Sequence, residues 1–219
     1  PVPEEELATI TALGATPDPV NRQINLHWST SSGQYDGFEL RRGADLIAFI
    51  PKGEQQIYLD SLVAPGISYS YLIRPYKNEQ QERITSAFQR VDVTVPALEP
   101  VNALAAIPDR NKNLIVVEWS HKYDNHAYYQ VFRNEVPVAA IPTGGQLRYV
   151  DPTGSPEQQY KYTVIAVDNV QGQGFRSKEE SVLTEFPEVA TVQNLTLSIP
   201  TEDVTLRQSD AQTSSLTRN

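Results

Sequence analysis

Cysteine and methionine are both absent from this chain of 219 residues. Without cysteine there are no disulfides, thiolate metal ligands or thiol nucleophiles, so packing alone must hold whatever fold forms. The same absence leaves the redox compartment open, because a chain without thiols suits oxidising and reducing surroundings equally. No run of about 18 apolar residues occurs, so no spanning helix is expected. The opening Pro-Val-Pro-Glu-Glu-Glu lacks the basic and apolar regions of a signal peptide. A mature or excised product, or a soluble intracellular chain, fits that opening. Gly-x-Ser-x-Gly, a phosphate-cradling glycine loop and His-Glu-x-x-His are also missing, so nucleophilic, nucleotide and zinc-protease chemistry have no starting point.

Nor is there a surplus of basic residues. The formal net charge is −9, yet residues 9 to 96 carry nine acids against eight bases, and residues 100 to 187 carry ten against eight. Most of the excess lies outside these blocks, in Glu4, Glu5, Glu6, Glu99 and the residues after 187. With no basic stripe and no polybasic segment, neither nucleic-acid binding nor membrane insertion is expected.

What the chain does contain is a repeat. Tyr58 to Lys77 and Tyr149 to Asp168 share one pattern at a constant offset of 91 residues, with Tyr69 matching Tyr160 and Tyr71 matching Tyr162. Without any gap the same offset pairs Leu13 with Leu104, Trp28 with Trp119, Phe38 with Tyr129, Arg42 with Arg133, Asp60 with Asp151 and Ser86 with Ser177. Inside each unit the apolar period is two, as in Ile24, Leu26 and Trp28 or Ile115, Val117 and Trp119. Turn formers such as Ala64-Pro65-Gly66 and Pro152-Thr153-Gly154 separate these runs. Alternation of this kind predicts strands with one buried face, about seven per unit, folded as an antiparallel sandwich of two sheets.

The Ile-x-Leu-x-Trp strand, Phe38-Glu-Leu-Arg-Arg, and Leu62-Val-Ala-Pro65-Gly66-Ile-Ser-Tyr69-Ser-Tyr71 resemble a fibronectin type III domain. The second unit resembles the same family through Trp119, Tyr129-Gln-Val-Phe-Arg-Asn and Tyr160-Lys-Tyr-Thr-Val. The resemblance implies a core tryptophan on the second strand and a tyrosine whose hydroxyl ties the corner before its own strand. The second unit departs from the pattern around Pro152 to Pro156, where the Leu and Pro-Gly ahead of the tyrosine are replaced.

The expected fold class is all-β: two tandem antiparallel immunoglobulin-like sandwiches plus a C-terminal extension with at least one strand. The predicted divisions are an acidic leader (1–8), a first domain (9–96), a short linker (97–99), a second domain (100–187) and a strand with a polar tail (188–219). Prolines at 96 and 100 stiffen the linker and restrict swinging of the domains. After Pro187 the pattern begins a third time, with Leu195, Leu197 and Ile199 alternating, and then fails at Asp210, where the repeat requires Trp. Two readings stay open: a longer array cut short, or a segment that pairs with a sheet edge through Leu195, Leu197 and Ile199.

For function, the loops at one end of the second sandwich are the expected partner-binding residues: Tyr123, Asp124, His126, Asn169, Gln171 and Gln173. His121, Asp124 and His126 have no third strong ligand nearby, so a solvated loop is expected and no metal or cofactor is predicted. The predicted role is that of a non-catalytic structural or adhesive module in a secreted, cell-surface or virion assembly. Its expected partner is a protein or glycan, with self-assembly through the C-terminal strand. The alternative is a pair of accessory spacer domains belonging to a larger secreted polysaccharide-degrading enzyme.

Overall fold

The structure, a computed structural model, describes residues 6 to 188. Leu195, Leu197 and Ile199, and with them the edge-pairing expectation, lie outside the described residues, as does most of the acidic leader.

Eight strands form the first sandwich: β1 (Ile10–Asp18), β2 (Gln23–Thr30), β3 (Gly37–Arg42), β4 (Asp45–Pro51), β5 (Ile57–Asp60), β6 (Ser68–Glu79), β7 (Glu82–Thr85) and β8 (Gln89–Thr94). One sheet has the order β1-β2-β5; the other runs β4-β3-β6, with β7 and β8 both paired to β6. The second sandwich repeats this with β9 (Asn102–Asp109), β10 (Leu114–Ser120), β11 (Tyr128–Arg133), β12 (Val136–Pro142), β13 (Arg148–Asp151), β14 (Gln159–Val170), β15 (Gln173–Arg176) and β16 (Glu180–Glu185). Its sheets are β13-β10-β9 and β12-β11-β14, with β15 and β16 both on β14. All these pairings are antiparallel.

Each sandwich therefore has eight strands where seven are predicted, because the last strand breaks in two. The break falls at Ser86 and at Ser177, which are equivalent under the repeat. Opposite Ser86 stands Pro75, which has no N–H to continue a ladder. Opposite Ser177 stands Ala166, whose N–H donates to the Ser177 Oγ at 3.0 Å instead of to a backbone carbonyl.

The predicted core positions are buried. Trp28 meets Phe38 edge-on at 5.4 Å, and Trp119 meets Tyr129 edge-on at the same 5.4 Å. Tyr71 and Tyr162 are fully buried beside Ile73 and Val164, whereas His27 points outward from β2. These inward faces give each sandwich its own apolar core, the largest stabilising term for chains of this kind.

The corner implied by the resemblance is present twice. The Tyr69 hydroxyl accepts from the Ala64 N–H at 2.8 Å, and the Tyr160 hydroxyl accepts from the Ser155 N–H at 3.0 Å. Pro65 is kept as Pro156, and replacing Gly66 by Glu157, which takes the same positive φ, leaves the corner intact, because the corner is made by a backbone N–H that any residue but proline supplies. A repacking accompanies the change. Val63 and Val95, both buried in the first sandwich, are matched by Gly154 and Phe186 in the second. A Cβ on Gly154 would stand 2.5 Å from the Phe186 ring, so the glycine makes room for the larger side chain.

Candidate functional site at the joint between the sandwiches

The loops singled out at the end of the second sandwich turn toward the first. The Arg22 guanidinium, in the turn between β1 and β2, donates to Asp168 Oδ1 at 2.7 Å, across 146 positions of sequence. Asn125, in the loop between β10 and β11, donates from Nδ2 to the Pro19 carbonyl at 2.8 Å. Leu98, in the linker, is buried, and with Val63, Pro65, Val95 and Pro96 it lines the gap between the two bodies. That gap measures only about 20 Å³, room for a single water, so it is packing and not a ligand pocket.

The Asp168 side chain is 1% exposed, whereas Arg22 keeps about half of its surface in water. A buried carboxylate needs a partner, and here the first sandwich supplies it. The joint is thus a buried acid from one sandwich gripped by a half-exposed base from the other, framed by apolar and proline side chains.

Behind the joint lies a ring cluster. His126 packs tilted against Tyr129 at 4.2 Å and meets His121 at 5.0 Å, and His121 Nε2 donates to the Glu99 carbonyl of the linker at 2.8 Å. Burial and the neighbouring His121 hold the His126 imidazole below its usual pKa, against the opposing charges of Asp124 and Asp168 and the Tyr123 carbonyl. The Tyr129 hydroxyl is pushed up to about 12 by burial and by the charge of Asp124. His126 is therefore neutral at physiological pH. Among the described residues no group of three or more His, Asp or Glu side chains converges to hold a metal ion.

Of the six residues expected to meet a partner, Asp124, Asn169, Gln171 and Gln173 are exposed, and Tyr123 is half-buried under the Lys122 ammonium at 4.8 Å. His126 is 4% exposed. Its ring is core, and the expectation that it faces a partner is corrected: it occupies the position of Tyr35, which packs on Phe38 at 5.0 Å in the first sandwich. The residues that do meet across the joint, Pro19, Arg22, Leu98, Asn125 and Asp168, were missed. Only the shortness of the linker hinted at them.

A second unpredicted constellation recurs in both sandwiches. The Tyr71 hydroxyl donates to Asp60 at 2.7 Å, and Arg42 donates to the same carboxylate at 2.9 Å. The Tyr162 hydroxyl and Arg133 do the same to Asp151 at 2.7 and 2.8 Å. Burial alone would raise the Asp151 pKa, but hydrogen bonds from Thr153, Tyr162 and Arg133 together hold it below the usual carboxylate value. Tyr71 and Tyr162 are both shifted upward, first by burial and then by donating to the carboxylate. The carboxylates are satisfied and buried with their tyrosines, which is the signature of a structural clasp.

No family model and no curated protein matches the chain. Among solved structures it is similar to the central fibronectin-III array of RIM-binding protein, with 17% identity over 84% of this chain and a TM-score of 0.36. The chain spans 63% of that array's length. It is also similar to a two-domain fibronectin type III segment from chicken tenascin, with 14% identity over 81% of this chain and 99% of that one, and a TM-score of 0.42. No helix among the described residues is long and apolar enough to cross a membrane. By strand order, pairing and the two tyrosine corners, the described residues form a tandem pair of sandwiches with the fibronectin type III topology.

Proposed function

We propose that the chain is a non-catalytic structural module in which residues 9–96 and 100–187 act as two domains held at a fixed mutual angle. In this reading it presents a protein or glycan partner-binding surface at a set position within a secreted, cell-surface or virion assembly. The observation that carries the proposal is the grip of Arg22 on buried Asp168, seconded by Asn125 on the Pro19 carbonyl. A flexible tether between independent domains has no use for a buried charge paired from across the joint. Tyr123, Asp124, Asn169, Gln171 and Gln173 remain candidates for partner contact. Self-association through Leu195, Leu197 and Ile199 belongs to the proposal on the sequence alternation alone.

Because the chain has no cysteine, two labels can be placed without background. Spin labels at Glu54→Cys and Glu135→Cys, both exposed positions, should give a narrow inter-label distance distribution that broadens in the Arg22→Ala, Asn125→Ala double variant. A broad distribution in the parent chain would contradict the fixed angle.

A further inference from the structure

The outer face of the β4-β3-β6 sheet in the first sandwich carries a run of guanidinium groups laid on aromatic rings. Arg83 stacks on both Phe49 and Tyr76, at 4.3 and 4.4 Å, and these two rings meet edge-on at 5.6 Å. Arg74 stacks on Phe88 at 4.1 Å. Arg41 and Arg74 share one carboxylate, the buried Glu39. Three cations thus face one acid in a protein whose net charge is −9.

Arg83 is exposed, and among the described residues it makes no ion pair; its one polar contact is a long hydrogen bond to Asn78 at 3.4 Å. A guanidinium packed against two rings at 4.3 and 4.4 Å keeps N–H donors available to a carboxylate. From β7 it reaches across Tyr76 to Phe49, on β4. Strand β4 is an edge: among the described residues it pairs with β3 alone, and it exposes Leu46 and Phe49.

The second sandwich serves as an internal control. The positions of Phe49, Tyr76, Arg74 and Arg83 are taken there by Ala140, Val167, Ile165 and Gly174. Its own groove on this face, lined by Phe132, Glu135, Lys161, Thr163, Arg176 and Glu179, balances two acids against two bases. The core positions repeat between the units while this face does not, so fold maintenance does not account for the arginine and aromatic set.

We infer that this face docks an extended acidic polypeptide segment, added along the β4 edge with a carboxylate on Arg83. The free edge strand fits an extended backbone, Leu46 and Phe49 fit apolar side chains, and the three arginines fit carboxylates. A glycan would use the charge and the exposed Phe49 ring but would not extend the sheet along the β4 edge. The inference rests on the module reading by naming the partner class that the module presents. The two fail separately, since the inter-label distance does not depend on Arg83.

The probe is an acetylated and amidated ten-residue peptide alternating glutamate with valine and threonine, titrated into the isotope-labelled full chain. Amide shift changes should concentrate on Asp45–Pro51 and Glu82–Thr85. Replacing every glutamate by glutamine should weaken binding by about ten-fold or more, as should Arg83→Gln with its thermal transition unchanged, whereas Arg83→Lys should fall between. Equal affinity for the glutamine peptide, equal binding by a folded Arg83→Gln chain, or shift changes confined to the second sandwich would overturn the inference. So would a sulfated oligosaccharide that gives the same shift pattern and displaces the peptide.

Discussion

Asp168 is buried in the second sandwich, and its carboxylate is held at 2.7 Å by Arg22 of the first. Neither residue has a like-charged counterpart under the repeat, since Arg22 matches Asn113 and Asp168 matches Lys77. The pair therefore belongs to the joint and not to the sandwich fold. Arg22→Ala leaves a buried charge without its partner, whereas the Arg22→Ala, Asp168→Ala double variant removes both. A double-mutant cycle followed by chemical denaturation should give a coupling of about 1–2 kcal/mol, reduced because Arg22 is half exposed. A coupling near zero would mean that the contact does not hold the joint.

The two clasps should matter more than the joint for each sandwich's own stability. Tyr162→Phe deletes the buried 2.7 Å hydrogen bond to Asp151, and the expected cost is about 1–3 kcal/mol. Tyr71→Phe should cost a similar amount through Asp60. Equilibrium unfolding of each variant checks this, and the loss should appear in the sandwich that carries the substitution.

Much of this was legible in the sequence, and the limits have physical causes. Trp28, Phe38, Tyr71 and their partners at the offset of 91 could be assigned to a core because period-two alternation reports which face of a strand is buried. Arg42, Asp60 and Tyr71 were visible as recurring residues, but a recurrence does not say which side chains bond to each other. His126 was read as a loop residue, although the offset that placed everything else aligns it with aromatic Tyr35. Beyond the short linker the joint left no trace, because alternation and spacing record the environment of a strand and not a contact between Arg22 and Asp168, 146 residues apart.

The exchange of Val63 and Val95 for Gly154 and Phe186 predicts strong non-additivity. Gly154→Val alone forces a side chain into the Phe186 ring, and Phe186→Val alone opens a cavity. Each should destabilise the second sandwich by about 1–3 kcal/mol. Together they restore the pairing of the first sandwich, so the double variant should recover most of the loss in thermal unfolding. A double variant at the sum of the two single losses would refute the compensation.

His126 gives the second sandwich a pH dependence. Its folded pKa lies below the ordinary 6.5, so the unfolded chain takes up the proton first. Its stabilising contribution is complete above about pH 6.5, declines as the pH falls toward the folded value, and changes no further below it. Glu39 and Asp151, both held below their ordinary values, act in a lower window, below about pH 4. Denaturation midpoints between pH 7.5 and 5 should fall in the parent chain and stay flat in His126→Phe, which keeps a ring on Tyr129.

The central claim is that the two sandwiches share one orientation. Residual dipolar couplings, measured on backbone amides of β1 to β8 and of β9 to β16 in one aligned sample, test it most directly. A single alignment tensor should fit both sets with the same magnitude and axes. Arg22→Ala with Asn125→Ala should split them into two tensors of different magnitude. Two independent tensors in the parent chain would contradict the account.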